Sequence, residues 1–524
     1  MVDPQIQVNR PTRLVERIRF PEQISSIFKE CTPRILVVAD GSLNFSAAAF
    51  GLKSFVDTLK SSTIHGMTPI VETAHRGAAA SDHPNFKFTA TTFKISKYDV
   101  VLLFGIQTAP PLPAAEVEVI SKFMQDGGGV FATGDHDELG KALCNEIPRV
   151  RSMRYWSHPD VPSAGGFDRL STNDPGANNT FEFDDQSDII PQKIYPKYYL
   201  PLSGIPSDSQ PHALLQHPTK KVVEVLPDHP HEGECVNPRS LTTTFHLGGA
   251  TVDEWPKNNL GLRVAPELVA LSMSYGGGFP GKQPIAPRSF GAIGAYDGHR
   301  ANVGRVSVDA TWHHFININL TGAGSPGPGL DANPDAIDRV HTYFRNIPEW
   351  LMPRKRRLCL RWPLILQALE LYPLPEILPT LKIEQKDLNV AMQIGTTVHQ
   401  SLSRFMPAAA VDDLALDLIA LHRTELADNL ECTRRGHEKV GDRLRTDLTP
   451  TRSLIETSLG LAAQTIYRLM PPGSDFAASL REAGGMEGIE REVQKDLKAG
   501  LRQLSSMLRE ETHAVLSLFD AEGK

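Results

Sequence analysis

Four clusters of acidic and imidazole side chains in the chain could do chemistry together. They are Asp40 with Gly41 and Ser42; Gly134-Asp135-His136-Asp137-Glu138; Asp228-His229-Pro230-His231-Glu232-Gly233-Glu234; and Asp309 with Trp312-His313-His314. Imidazole mixed with carboxylate suits a divalent ion such as Zn, Mn or Fe, or a general acid and base pair, and spacing alone does not choose between them. In an extended segment His229 and His231 point to the same side and can reach one ion, with Glu232 turned away unless the backbone bends. In a strand His313 and His314 point oppositely, so one of them reaches a shared site. No cluster has the H-E-x-x-H frame of a zinc helix. The competing explanation for any single cluster is local structure, since Asp135 or Asp137 could N-cap the following DELGKALC.

The clusters share a position after apolar runs. RILVVAD (34–40), YDVVLLFGI (98–106) and GVFATGD (129–135) read as buried parallel strands, which are apolar throughout because both faces are covered. NFSAAAFGLKSFVDTLKSS and PAAEVEVISKFMQDGG between them have helical spacing, the second opened by Pro113 and closed by glycines. This alternation predicts an α/β fold with a flavodoxin-like, mostly parallel sheet whose ligands lie at the carboxyl ends of the strands. Residues 150–290 are rich in Pro, Gly, Asn, Asp and His, with short strand-like pieces such as KVVEVLP and LVALSMSY. They are expected to form site walls. FGAIGAYDG and GRVSVDATWHHFININL read as late strands, and DAIDRVHTYFRNIPEWL as the helix that closes the domain.

The expected organisation is an N-terminal extension over 1–33, an α/β domain over 34–352 and an all-α domain over 353–524. The last opens on the basic run Arg354-Lys355-Arg356-Arg357, read as a solvated linker in preference to a nucleic-acid contact. Its amphipathic stretches, VDDLALDLIALHRTELADNL among them, suit packing on each other, on a second copy or on a protein partner. The triplets ending in Pro353, Pro407 and Pro471 read as helix stops.

RILVVAD, YDVVLLFG, the helix before Asp126-Gly127-Gly128-Gly129, and GVFATGD together resemble the class I glutamine amidotransferase-like superfamily, nearest its ThuA-like, trehalose-utilisation branch. The resemblance spans about residues 34 to 350 with gaps, and excludes the helical domain. Members that hydrolyse glutamine carry a nucleophilic cysteine on a sharp turn after this strand and a histidine at a later strand end. Here the turn reads Thr133-Gly134-Asp135-His136-Asp137, without a cysteine, and the later histidine falls at His313 or His314. A glutaminase lacks its thiolate in this chain. The ThuA-like branch implies, by analogy, a carbohydrate or other polar small molecule.

Composition excludes several classes. With 524 residues, 54 basic against 61 acidic side chains and a net charge of -7, the chain has no global attraction for phosphate backbones. Nucleic acid is therefore not an expected partner. No window is long and apolar enough for a membrane span, and the N-terminus lacks the apolar core of a signal peptide. Five cysteines without a C-x-x-C pair read as free thiols of a reducing, cytoplasmic compartment. Gly127-Gly128-Gly129 and Gly276-Gly277-Gly278 lack the context of a nucleotide loop, so no nucleotide cofactor is expected.

The reading these observations lead to is a hydrolase-type enzyme on a polar small molecule. Asp135, His136, Glu232, His313 and His314 are its catalytic candidates, with His229, His231 and Asp135 as ligands of a divalent metal. Asp40, Ser42, Trp312, Asp297, His299 and Arg300 are its substrate-binding candidates. The alternative is an inactive binding or effector module of the same fold, whose helical domain mediates assembly or recruits a partner.

Overall fold

The computed structural model describes residues 25–26, 28–135, 138–156, 189–199, 209–227, 233–274, 288–370, 387–404, 406–435, 451–471 and 474–521. Its centre is a nine-stranded sheet. In chain order the strands are β1 (Arg34–Ala39), β2 (Ile70–His75), β3 (Val100–Phe104), β4 (Gly129–Thr133), β5 (Gln192–Pro196), β6 (Val225–Leu226), β7 (Glu267–Ser274), β8 (Arg288–Tyr296) and β9 (Val306–Asp309). Their order across the sheet is β6-β5-β7-β8-β9-β4-β3-β1-β2.

From β2 to β9 every pairing is parallel, and from β9 to β6 every pairing is antiparallel. By those pairings, β5 and β8 run against the other seven strands. The segment expected to supply site walls with short strand-like pieces thus builds three of the nine strands, β5, β6 and β7, and leads into β8. The sequence shows them in part: KVVEVLP, LVALSMSY and FGAIGAYDG overlap β6, β7 and β8, whereas β5, QKIYP, has no apolar run of its own. The apolar runs of β1, β3 and β4 match their strands closely. β2 gave no such run, because IVETAH is an edge strand with Ile70 exposed and Glu72 half-buried.

The helices are α1 (Lys53–Ser61), α2 (Ala114–Gln125), α3 (Lys141–Cys144), α4 (Asn317–Thr321), α5 (Pro334–Leu351), α6 (Arg354–Glu370), α7 (Leu388–Leu402), α8 (Ala408–Ala420), α9 (Thr424–Arg435), α10 (Thr451–Leu469), α11 (Phe476–Glu482) and α12 (Gly485–Ala521). Side chains alternate across a strand, and β1 uses the alternation on both faces. Ile35, Val37 and Ala39 join the core that includes α1 and α5, while Leu36 and Val38 join the core on the α2 side. Phe55 of α1 anchors the first core, with ring centroids 4.9–5.3 Å from Phe104, Phe315 and Phe344. A sheet covered on both faces leaves only its edges for ligands.

The C-terminal helices form a separate apolar cluster, which also takes in Phe28 and Cys31. Here α7 and α10 pack backbone to backbone: a Cβ at Gly395 would lie 1.8 Å from Glu456 O, and one at Gly460 1.7 Å from Ala391 O. The proline triplets sit at helix boundaries, as expected: α5 ends at Leu351, Pro407 precedes α8, and α10 ends at Leu469.

Two expectations are overturned. The run Arg354–Arg357 is no solvated linker but the first turn of α6, and it clamps the two regions together. Arg357 pairs with Asp413 (2.7 Å) and Asp417, Arg354 with Asp417 (3.2 Å), and Arg356 with Asp99 (3.0 Å). Acidic partners also offset the repulsion between this basic turn and the positive end of the α6 dipole. Second, Cys31 and Cys359, 328 residues apart, form a disulfide. That pairing removes the cysteine argument for a reducing compartment. Cys144 and Cys235 are buried thiols outside that disulfide. Among the described residues no helix is long and apolar enough to cross a membrane.

Candidate functional site

The carboxyl ends of β4 and β9 lie side by side, with Thr133 opposite Asp309. The next residues of each strand therefore meet. Asp135 Oδ1 accepts a 2.7 Å hydrogen bond from Thr311 Oγ1, and Asp135 Oδ2 faces His313 Nε2 at 3.6 Å, an ion-pair distance. His313 Nδ1 lies 3.2 Å from Asn319 Oδ1. An amide oxygen can only accept, so Nδ1 carries the proton and Nε2 is turned to the carboxylate. Both Asp135 and His313 are buried. A proton arriving at Nε2 would make an imidazolium stabilised by Asp135, which is the arrangement of an acid–base pair.

The two histidines of the fourth cluster do diverge, although they sit in a 3-10 turn (Trp312–His314) beyond β9 and not in a strand. His314 Nδ1 is 2.7 Å from Asp309 Oδ1, and Asp309 Oδ2 accepts from Tyr343 OH at 2.6 Å. These three groups are buried, and burial beside Asp309 holds the Tyr343 phenol well above its ordinary value. His314 is thus locked into the base of the turn and turned away from His313.

Arg154, fully buried, fixes the two turns against each other. Its guanidinium donates to the carbonyls of Asp135 (2.6 Å), Ala310 (2.6 Å) and Asp309 (3.1 Å). Asp135 does not cap α3, which starts at Lys141 after Gly140 and has no side-chain cap. Trp312 stacks on His313 with centroids 4.1 Å apart, and Phe50, 37% exposed, covers both rings from solvent. The buried indole N–H groups of Trp312 and Trp156 have no hydrogen-bond partner among the described residues.

A second feature occupies the same edge at the ends of β1, β2 and β3, where the strand order reverses. It is a cleft of about 590 Å³ lined by Asp40, His75, Arg76, Lys87, Gln107, Glu116, Leu143 and a proline wall at 110, 111 and 113. Asp40 Oδ1 accepts from the backbone N–H of Ile106 (2.6 Å) and of Gln107 (3.2 Å), bridging the two strand ends. Burial pushes the Asp40 carboxyl up to about 6, against the lowering effect of those two bonds and of His75 and Arg76. The cleft and the Asp135–His313 pair are separated by the turn carrying Gly140 and Cys144. Three glycines let it pass: a Cβ at Gly105 would lie 2.7 Å from Gly140 Cα, one at Gly134 would lie 2.1 Å from Leu139 O, and Gly140 itself has φ +94°.

Of the sequence candidates, Asp40, Asp135, Trp312 and His313 lie at this edge. Ser42 is exposed beside the cleft and is not part of its lining. His136, His229, His231 and Glu232, with Asp137 and Asp228, lie outside the described residues. Gly233, next after the third cluster's Glu232, packs on Arg154 and Ala310, where a Cβ would come within 2.1 Å of Arg154 Nη2. Among the described residues no three His, Cys, Asp or Glu side chains are grouped to hold a metal ion.

Asp297, His299 and Arg300 do not line this edge. β8 runs antiparallel to β9, with Tyr296 opposite Val306, so the residues after β8 emerge at the amino ends of the parallel strands. There Asp297 accepts from Arg305 Nε at 2.8 Å, and Arg305 reaches Asp413 of α8 at 2.8 Å. His299 is buried beside them, and burial with Arg305 and Arg357 nearby pushes it well below its ordinary value. His75, Arg76, Lys87, Gln107 and Glu116 escaped sequence reading because the first two belong to the missed strand β2 and its end, Lys87 lies in the loop after it, and Gln107 and Glu116, beside a strand and in a helix that were read, belong to no acidic and imidazole cluster.

The chain matches no protein-family model and no curated protein.

Proposed function

We propose that the chain is a hydrolase-type enzyme acting on a small polar molecule at the carboxyl edge of its sheet, with Asp135 and His313 as the proton-transfer pair. The observation that carries this reading is the convergence of those two side chains at 3.6 Å, each oriented by its own partner, Thr311 for Asp135 and Asn319 for His313. A histidine and a carboxylate facing each other, each fixed by a separate partner, form the arrangement that proton transfer requires.

The strand order β2-β1-β3-β4-β9 supports a flavodoxin-like reading and, with it, the amidotransferase-like resemblance. Within that resemblance an aspartate stands where glutaminases place a thiol. The nearby Cys144 cannot replace it, since burial pushes its thiol far above the usual range. Carbohydrate derivatives are the first substrates to try. His229, His231 and Asp135 would hold a divalent ion, Zn, Mn or Fe, which when bound would lower the pKa of a coordinated water. Glu232 or the Asp135–His313 pair would then accept the proton. In the metal-free form the pair alone activates water.

The test is turnover of chromogenic glycosides, esters, phosphates and amides by the full-length protein, with and without added Zn or Mn. Asp135→Asn and His313→Gln are expected to lose about a hundredfold or more while remaining folded. Full activity in both variants would contradict the assignment. A second reading, a binding or effector module, rests on the C-terminal helices, which have an apolar core of their own and include the 37-residue α12. Absence of turnover on every substrate class, together with assembly through the helical region, would select it.

A further inference from the structure

We infer that the cleft at the reversal between β1 and β3 is a binding site for a small organic amine, whose ammonium group pairs with the Asp40 carboxylate. A buried carboxylate is normally paired, because removing it from water without a counter-ion costs several kcal/mol. Elsewhere in the α/β region this holds: Asp99 pairs with Arg34 and Arg356, Glu116 with Arg76, Glu254 with Arg151, and Asp297 with Arg305. Asp40 is only 2% exposed, and among the described residues no cation lies within ion-pair distance of it.

Its Oδ1 is held by two backbone N–H groups, so the carboxylate has a fixed direction, and Oδ2 accepts no hydrogen bond from the described residues. Two basic side chains near it, Arg76 and His75, are engaged elsewhere. Arg76 is bound to both oxygens of Glu116 and to Phe86 O. His75 places Nε2 against Leu43 O (3.0 Å) and accepts from Gly77 N at Nδ1 (2.9 Å), so both ring nitrogens are engaged by the backbone. Cys144, behind Asp40, is neutral and buried. Lys87 lines the cleft from the loop after β2.

The rest of the cleft selects the kind of cation. A wall of Pro110, Pro111 and Leu143 gives nothing to a bare metal ion but buries an alkyl chain. A volume of about 590 Å³ admits a small organic molecule. Amine binding at Asp40 makes no use of the Asp135–His313 pair, and is expected whether or not that pair turns over a substrate.

Butylammonium chloride is the probe, with 1-butanol as its neutral match and magnesium chloride as the bare cation. Full-length protein carrying ¹³C-labelled aspartate reports the titration of Asp40, its resonance assigned by its loss in Asp40→Asn. That variant keeps an oxygen to accept both backbone bonds, and the wild-type titration does not depend on it. Expected is an Asp40 midpoint near 6 in the free protein, moved down by about one unit or more at saturating butylammonium. Binding should be about tenfold or more tighter at pH 7.5 than at pH 4.5, and should be lost in Asp40→Asn. A resonance moved by butanol or magnesium and not by the amine, equal amine binding in Asp40→Asn, or no response to any of the three would each overturn the inference.

Discussion

The two edges of the sheet use the same residue types for opposite ends. At the amino edge Asp99, Asp297, Asp413 and Asp417 meet arginines at 2.7–3.4 Å, and the chain of pairs fastens α6 and α8 to the strands. At the carboxyl edge Asp40 has no cation among the described residues, and Asp135 faces a histidine that can exchange its proton. Arginine stays charged in both environments, so a carboxylate–arginine pair holds position; a carboxylate with histidine, or with nothing, keeps a proton to give or take. Counting charged residues does not separate these cases, whereas the partner of each one does.

Breaking the amino edge is expected to give the largest effect. Arg305→Ala takes from Asp297 its arginine and leaves Asp413 with Arg357. Urea unfolding should show a loss of about 3–5 kcal/mol, with the Asp135–His313 geometry unaffected. Separating the staple beside it, Cys31→Ser with Cys359→Ser, should cost about 2–5 kcal/mol by the same measurement.

Asp40 sharpens the contrast through pH. Its folded value, about 6, lies above the ordinary 3.8, so the folded state holds a proton that the unfolded state has lost between those two values. Stability contributed by Asp40 is therefore present below about pH 4, falls as pH rises, and is gone above about pH 6. Relative to Asp40→Asn, the wild type should lose about 3 kcal/mol across that window in denaturant titrations. The smallest effect is expected at Ser42, exposed and outside the cleft lining. Ser42→Ala should change stability by less than about 0.5 kcal/mol and leave butylammonium binding as it was.

The parallel half of the fold was legible because strands covered on both faces are written as unbroken apolar runs, as in RILVVAD and YDVVLLFG. The antiparallel half was legible only in pieces: KVVEVLP, LVALSMSY and FGAIGAYDG overlap β6, β7 and β8, but β5 was missed, and the pairing of these strands rests on contacts far apart in sequence. The same limit explains the site. Asp40 and Asp135 were visible because each comes directly after such a run, and His313 because it lies just beyond β9. Asp297, His299 and Arg300 were misplaced because residues say where a strand ends but not which way it runs. Nothing local marks Cys31 and Cys359 as partners, and nothing in PRKRR shows that its charges meet Asp99, Asp413 and Asp417.

One measurement sets the two edges directly against each other: the unfolding free energy, at pH 7.5, of Asp40→Asn and Asp297→Asn against the wild type. The two substitutions are chemically identical. Asp40→Asn removes a buried charge that has no cationic partner among the described residues and is expected to stabilise, while Asp297→Asn breaks a bond to Arg305 and is expected to cost about 1.5–3 kcal/mol. Shifts of opposite sign are the predicted result. Destabilisation by both would show that Asp40 is paired as firmly as Asp297, and would contradict the account.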